Sequence, residues 1–259
     1  MATALDTAPP RRAVADTRFF VVMAFAMSAI IVAGFSVNLA LGRSSFALPL
    51  SYHVHGMIFM GWLALYLAQH LTIASGNIAL HRQVGKLAYF WVPVMIGAGA
   101  MIIVVALRRT GGPFLFAQNE FFVSNLAALL TFGGLALWAL RCQRHTGWHR
   151  RLMLIAMSVL TGPGLGRLLP APMLIPYAWT TLIVLTFTFP VIGMIVDKRR
   201  LGHVHPAYWW GMGINAGLFA ASMALAYSPW GYAVTEWVVA GTPGAERPVA
   251  AFIPPGFAM

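Results

Sequence analysis

The sequence predicts an all-α, polytopic membrane helix bundle, and three observations lead to this prediction. Charged residues make up only 9% of the chain, whereas soluble domains carry about 25%. Hydrophobic residues make up 59% of it. They occur in continuous apolar runs of about 20 residues, the length that spans a bilayer as a helix. These runs are too long for barrel strands, which have only about 10 residues.

Seven apolar runs define the predicted spans. In chain order they are 19–41, 52–74, 87–107, 121–140, 152–170, 176–196 and 207–227. Residues 1–18 lack hydrophobic periodicity and are predicted to form a disordered cytoplasmic tail before a membrane domain at 19–227. Residues 228–259 are predicted to form an aromatic interfacial segment, followed by a flexible, proline-containing outer tail.

Basic residues concentrate in alternate loops and predict the orientation. They precede the first span and follow the second, fourth and sixth spans, as Arg18, Lys86, Arg150 and Arg200 illustrate. The positive-inside rule then places the N-terminus in the cytoplasm, in the inner (plasma) membrane of a cell of bacterial type. Loops that contact anionic lipid explain the formal net charge of +11, so nucleic acid is not expected as a partner.

The fifth span contains a helix-breaking segment, Gly162–Arg167. Pro163 lacks a backbone N–H, so it is expected to kink or end the helix there. Two interpretations of this break remain open. In the first, the freed carbonyl groups line a cavity; in the second, the break allows the helices to pack closely near the outer interface.

Histidine placement is the main functional signal. Six of the eight histidines fall on the predicted cytoplasmic side: His70, His81, His145, His149, His203 and His205. A haem or metal centre near one membrane face requires imidazoles clustered in this way. Acidic residues are scarce on that side, so nitrogen ligands favour haem iron, copper, zinc or non-haem iron over magnesium or calcium.

The spacing of histidines along the second span adds His55 as a further candidate cofactor ligand. His55 and His70 are 15 residues apart on the second span, which is about 22 Å along a helix and about 60° around its axis. They are thus expected on broadly one face, one near each membrane surface. Ordinary interfacial histidines would show the same spacing.

The cytoplasmic candidates form short motifs. His145 and His149 have the i, i+4 spacing of two ligands on one helical face. The His203–His205 pair, in extended backbone, is expected to point both rings the same way. Arg82 and Arg150 directly follow histidines, so they are expected either to hold haem propionates or to anchor the helices at the interface.

Three short motifs carry a resemblance to known proteins. They are His53–Gly56, His81–Gly85 and His149–Met153. Over about residues 50–200 the chain resembles a widespread group of uncharacterised bacterial multi-pass membrane proteins. That group is distantly similar to cytochrome b561-like four-helix haem proteins, and the resemblance implies a bundle that binds b-type haem. Beyond His53 and His55 the outer half lacks histidines, so only one inner haem is readily built.

Three hypotheses about function follow. The first is a membrane redox protein with haem b held by His70 and His149, or by His81 as the substitute, which passes electrons between a cytoplasmic or quinone donor and an acceptor. The second is a non-haem enzyme of hydroxylase or desaturase type, acting on a lipid-like substrate with iron, copper or zinc bound by the six inner histidines. The third is a transporter or accessory subunit without a cofactor.

Overall fold

Helices form most of the described part of the molecule. A computed structural model describes the backbone of residues 10–254 and the side chains of residues 16–254. Within these residues there is no β-strand. The first helices are α1 (Pro10–Ala40), α2 (Leu50–Ala74), α3 (Ile78–Gly85) and α4 (Leu87–Thr110).

The second half of the chain begins with a short π-helix, Glu120–Ser124, that continues directly into α5 (Asn125–Arg141). The helices that follow are α6 (Thr146–Val159), α7 (Gly162–Leu168), α8 (Ala178–Thr186), α9 (Thr188–Leu201), α10 (Pro206–Ala226) and α11 (Pro229–Val239). Single turns of 3₁₀-helix lie at Ala171–Leu174 and Pro243–Glu246.

The prediction of an all-α protein with membrane-length helices is confirmed. Five helical stretches are long and apolar enough to cross a membrane: Asp16–Ala40, Leu50–Ala74, Ile78–Thr110, Glu120–Arg141 and Ala178–Leu201. The predicted span at 152–170 corresponds instead to two shorter helices, α6 and α7. The predicted span at 207–227 corresponds to α10, a continuous helix of 21 residues that is not among the five.

Side-chain contacts bring alternate helix ends together. Asp16 near the start of α1 pairs with Arg150 of α6, and Arg151 of α6 pairs with Asp197 of α9. His149 of α6 is hydrogen-bonded to the end of α5. We call this part of the bundle the histidine end. Helices α1, α6 and α10 begin there, and α2, α5 and α9 end there, together with the short helix α3. Consecutive long segments therefore run in opposite directions through the bundle.

The break between α6 and α7 serves close packing. Pro163 stands in the first turn of α7, where its missing N–H costs no helical hydrogen bond. Gly164 lies against the backbone of α1, and a Cβ atom there would be 2.8 Å from the Ile30 carbonyl oxygen. This contact supports the packing interpretation of the segment.

Parts of the two predicted tails lie within the described residues. Helix α1 begins at Pro10, so residues 10–18 are helical; residues 1–9 lie outside the described residues. At the other end, the Arg247 guanidinium donates to the carbonyl groups of Gly111, Gly112 and Pro113, and also to that of Phe116. The segment around Arg247 is thus packed against the loop after α4, because that loop presents free carbonyl oxygens that an arginine fork satisfies.

Candidate cofactor site at the histidine end

Three of the predicted histidines are brought together by three different helices. His70 lies near the end of α2, His81 in α3 and His149 in the first turn of α6. The His81 and His149 ring centroids are 6.4 Å apart, with the ring planes at 80°. His70 is close enough to interact electrostatically with both.

Each of the three rings is oriented by the same kind of hydrogen bond. The Nδ1–H groups donate to backbone carbonyl oxygens: His70 to Tyr66 at 2.9 Å, His81 to Gln69 at 3.3 Å and His149 to Ala139 at 2.8 Å. A carbonyl oxygen only accepts, so the proton is on Nδ1. In the neutral ring the lone pair is then on Nε2, as in histidines that bind metals.

The geometry of one pair is compatible with a shared ion. Two imidazoles that bind one ion from opposite sides at about 2.0–2.1 Å have ring centroids about 6.5 Å apart. His81 and His149 meet this condition with their separation of 6.4 Å. The His70 ring lies instead against Tyr66, at 4.4 Å between centroids.

The six inner histidines do not form one site. Among the residues that the structure describes, no three His, Cys, Asp or Glu side chains are grouped so that they could hold a metal ion. His145 precedes α6 as its N-cap residue and is exposed. His203 is exposed as well and hydrogen-bonds to the Leu201 carbonyl oxygen. In each spaced pair one histidine is exposed, His145 or His203, while the other, His149 or His205, is partly buried.

His205 has a different role from the clustered histidines. Its Nδ1 accepts a hydrogen bond from the Ala207 N–H at 3.1 Å and so caps α10. Burial and the charge of Arg151 lower the pKa of His205 to about 4. In the neutral ring Nε2 then carries the proton, so neither nitrogen offers a free lone pair to a metal.

The two arginines predicted to bind propionates differ in whether their guanidinium groups are already paired within the protein. Arg82 is exposed at the end of α3. Arg150 donates to Asp16 at 2.8 Å, and its guanidinium lies 5.0 Å from the Phe20 ring centroid. Arg150 is thus already engaged by protein groups.

Sequence reasoning missed the buried ion pair beside this site. Arg151 donates from Nε and Nη2 to both Asp197 oxygens, at 2.8 and 2.7 Å. The sequence did contain a signal for this pair, because Asp197 is the only acid in the predicted inner loops and two arginines follow His149.

The remaining candidate ligand, His55, lies far from the three clustered histidines, in the first turns of α2.

Comparisons with known proteins do not extend this description. No family model matches the chain, and no curated protein or solved structure matches it either.

Proposed function

We propose that the chain is a seven-span protein of the inner membrane with a cytoplasmic N-terminus. The seven segments would be α1, α2, α3–α4, the π-helix with α5, α6–α7, α8–α9 and α10. Support comes from the up-and-down arrangement of these segments and from the basic residues at the histidine end, because basic loops remain on the cytoplasmic side.

The second part of the proposal is that the histidine end holds a redox cofactor. His149 and His81 would hold it, and His70 would be the alternative partner. The observation that carries this proposal is that all three rings have Nδ1 hydrogen-bonded to a carbonyl oxygen, which leaves Nε2 available. Haem b is the favoured cofactor, with a single iron, copper or zinc ion as the alternative.

The residues around the site have separate tasks in this proposal. The carbonyl groups of Tyr66, Gln69 and Ala139 orient the rings. Arg82 is exposed at the same end and free to pair with an anionic group such as a propionate. Bound there, a haem would supply a one-electron redox centre for exchange with a quinone or a cytoplasmic partner.

A visible spectrum of the purified protein tests this proposal. The full-length protein is expressed with haem precursor, purified in mild detergent, and measured oxidised and dithionite-reduced, with elemental analysis of the same sample. We expect a Soret band and a reduced α-band. His149→Ala and His81→Ala should each remove most of the absorbance without loss of inserted protein.

His145→Ala and His203→Ala are matched controls, because both residues are exposed histidines at the same end of the bundle. They should retain the wild-type spectrum. Stoichiometric iron, copper or zinc without a Soret band would assign the site to the single-ion alternative. Wild-type protein without haem and without metal would refute the cofactor proposal.

A further inference from the structure

A second group of polar side chains lies in the other half of the bundle, around Arg167. This residue is in the last turn of α7, and its guanidinium lies 4.1 Å from the centroid of the Phe35 ring of α1. It makes one hydrogen bond, from Nη1 to the Pro163 carbonyl oxygen of its own helix at 2.8 Å. Its Nε atom is buried without a partner.

No carboxylate among the described residues forms an ion pair with this guanidinium. Within residues 16–254 the ion pairs are made by Asp16 and Asp197, both at the histidine end. Burying a guanidinium without a counter-ion is unfavourable. In membrane segments such cations pair with another group or mark a binding site.

His55 of α2 faces the same region. It lies within electrostatic range of Arg167 and next to the Ala98 carbonyl group of α4. Its ring packs on Phe59 with centroids 4.2 Å apart, and its Nδ1 is buried without a hydrogen-bond partner. Two nitrogen groups with unused hydrogen-bonding capacity therefore lie within electrostatic range of each other.

Helix packing explains both the position of Arg167 and the access to it. The close contact of Gly164 with the backbone of α1 brings α7 against a membrane-length helix. Phe35 and Leu168, on either side of Arg167, are 37% and 40% exposed. Phe35 belongs to the membrane-length helix α1, on which exposed apolar side chains face lipid, so a ligand would approach from the lipid phase.

We propose that Arg167 and His55 bind the oxyanion head group of a lipid-phase amphiphile. The shared chemistry is a carboxylate or a phosphate, which accepts charge-assisted hydrogen bonds from a guanidinium. The His55 Nδ1 takes the second contact and donates to the oxyanion when it carries a proton. This site is independent of the proposed cofactor, since it lies in the opposite half of the bundle.

The test is ligand-dependent thermal stability of the delipidated full-length protein in neutral detergent. Oleate is compared with oleyl alcohol, and phosphatidylglycerol with diacylglycerol, so that each pair differs in the oxyanion. Inorganic phosphate is added separately. We expect one anionic lipid to produce a saturating rise in Tm that its neutral counterpart does not produce, because a ligand of the folded state alone stabilises it.

Variants assign the effect to this site. Arg167→Gln should weaken binding at least about tenfold, the loss expected for one charge-assisted hydrogen bond. Arg43→Gln, which changes an exposed arginine in the same half of the bundle, should bind as the wild type does. If Arg167→Gln does not fold, Arg167→Lys and His55→Ala replace it, and both should weaken binding.

The outcomes separate the possible sources of the oxyanion. A rise with oleate alone assigns a carboxylate, and a rise with phosphatidylglycerol assigns a lipid phosphate. A rise with inorganic phosphate alone, or equal shifts for the anionic and neutral members of each pair, would overturn the proposal. The same conclusion would follow if the Arg167 variants responded as the wild type does.

Discussion

Arg151 and Asp197 form a two-point ion pair that joins α6 to α9 at the histidine end. Their side chains are only 2% and 8% exposed. Arg151 also donates to the Gly147 carbonyl oxygen at 3.0 Å, and Asp197 accepts from the His205 N–H at 3.2 Å. The pair thus links α6, α9 and the start of α10, next to the three clustered histidines.

Removing one partner of this ion pair should be strongly destabilising. Asp197→Asn or Arg151→Met is expected to lower the free energy of unfolding by about 3–5 kcal/mol, because the other charge stays buried without a counter-ion. Arg200→Met is the control. Arg200 pairs with Asp16 while 37% exposed, and pairs of that kind contribute only about 0–1 kcal/mol. Denaturant unfolding in mixed micelles measures both, and equal losses would contradict the prediction.

The contact between α1 and α7 should not tolerate a larger residue at position 164. Gly164→Ala places a Cβ atom 2.8 Å from the Ile30 carbonyl oxygen, and overpacking against backbone costs about 1–3 kcal/mol. Gly134→Ala in α5 is the matched control, because a Cβ atom there meets nothing within 4 Å. It should be neutral or stabilising, since alanine is the better helix former. Thermal unfolding of both variants measures this difference, and equal melting temperatures would contradict the prediction.

Arg247 should hold the C-terminal segment against the loop after α4. The Gln118 N–H donates to the Val249 carbonyl oxygen at 2.8 Å, and the Phe252 N–H to that of Phe114 at 3.0 Å. Arg247→Ala removes the guanidinium that binds this loop, so hydrogen exchange at both N–H groups should accelerate. Glu246→Ala, at an exposed neighbouring position, should leave the exchange unchanged. Unchanged protection in Arg247→Ala would show that the segment is held by other contacts.

Stability should depend on the protonation of His205. Its pKa in the folded protein is lowered to about 4 from the ordinary value of 6.5. A lowered pKa means that the unfolded chain binds the proton more tightly. The contribution of His205 is therefore fully present above about pH 6.5 and is lost as pH falls towards 4.

The variant His205→Asn tests this dependence. Asparagine still accepts from the Ala207 N–H as a helix cap but does not titrate. We expect a shallower fall in Tm between pH 6.5 and 4 than in the wild type. His145→Asn removes an exposed histidine at the same end of the bundle and should leave the slope unchanged. The same slope in His205→Asn and in the wild type would contradict the assignment.

Some features of the site were accessible to sequence reasoning, and others were not. His70, His81 and His149 were predicted as candidate ligands because each is a histidine at a helix end on one side of the chain. His145 and His205 carried the same signal, yet one is exposed and the other caps a helix. Sequence spacing does not distinguish these cases, because a ring is placed by the rotation of its helix and by the carbonyl group that it meets.

The sequence by itself determined the class of the protein and the positions of its apolar segments. Both are largely local properties, because a long apolar run favours a membrane-length helix by its own composition. The run at 152–170 is the exception, since it forms the two shorter helices α6 and α7. Only the tertiary structure decided the pairing of Arg151 with Asp197, the isolation of Arg167 from any described carboxylate, and the exposure of His203. Those outcomes depend on which helix faces meet. Apolar runs do not encode this, because lipid and protein interior are nearly equal environments for their side chains.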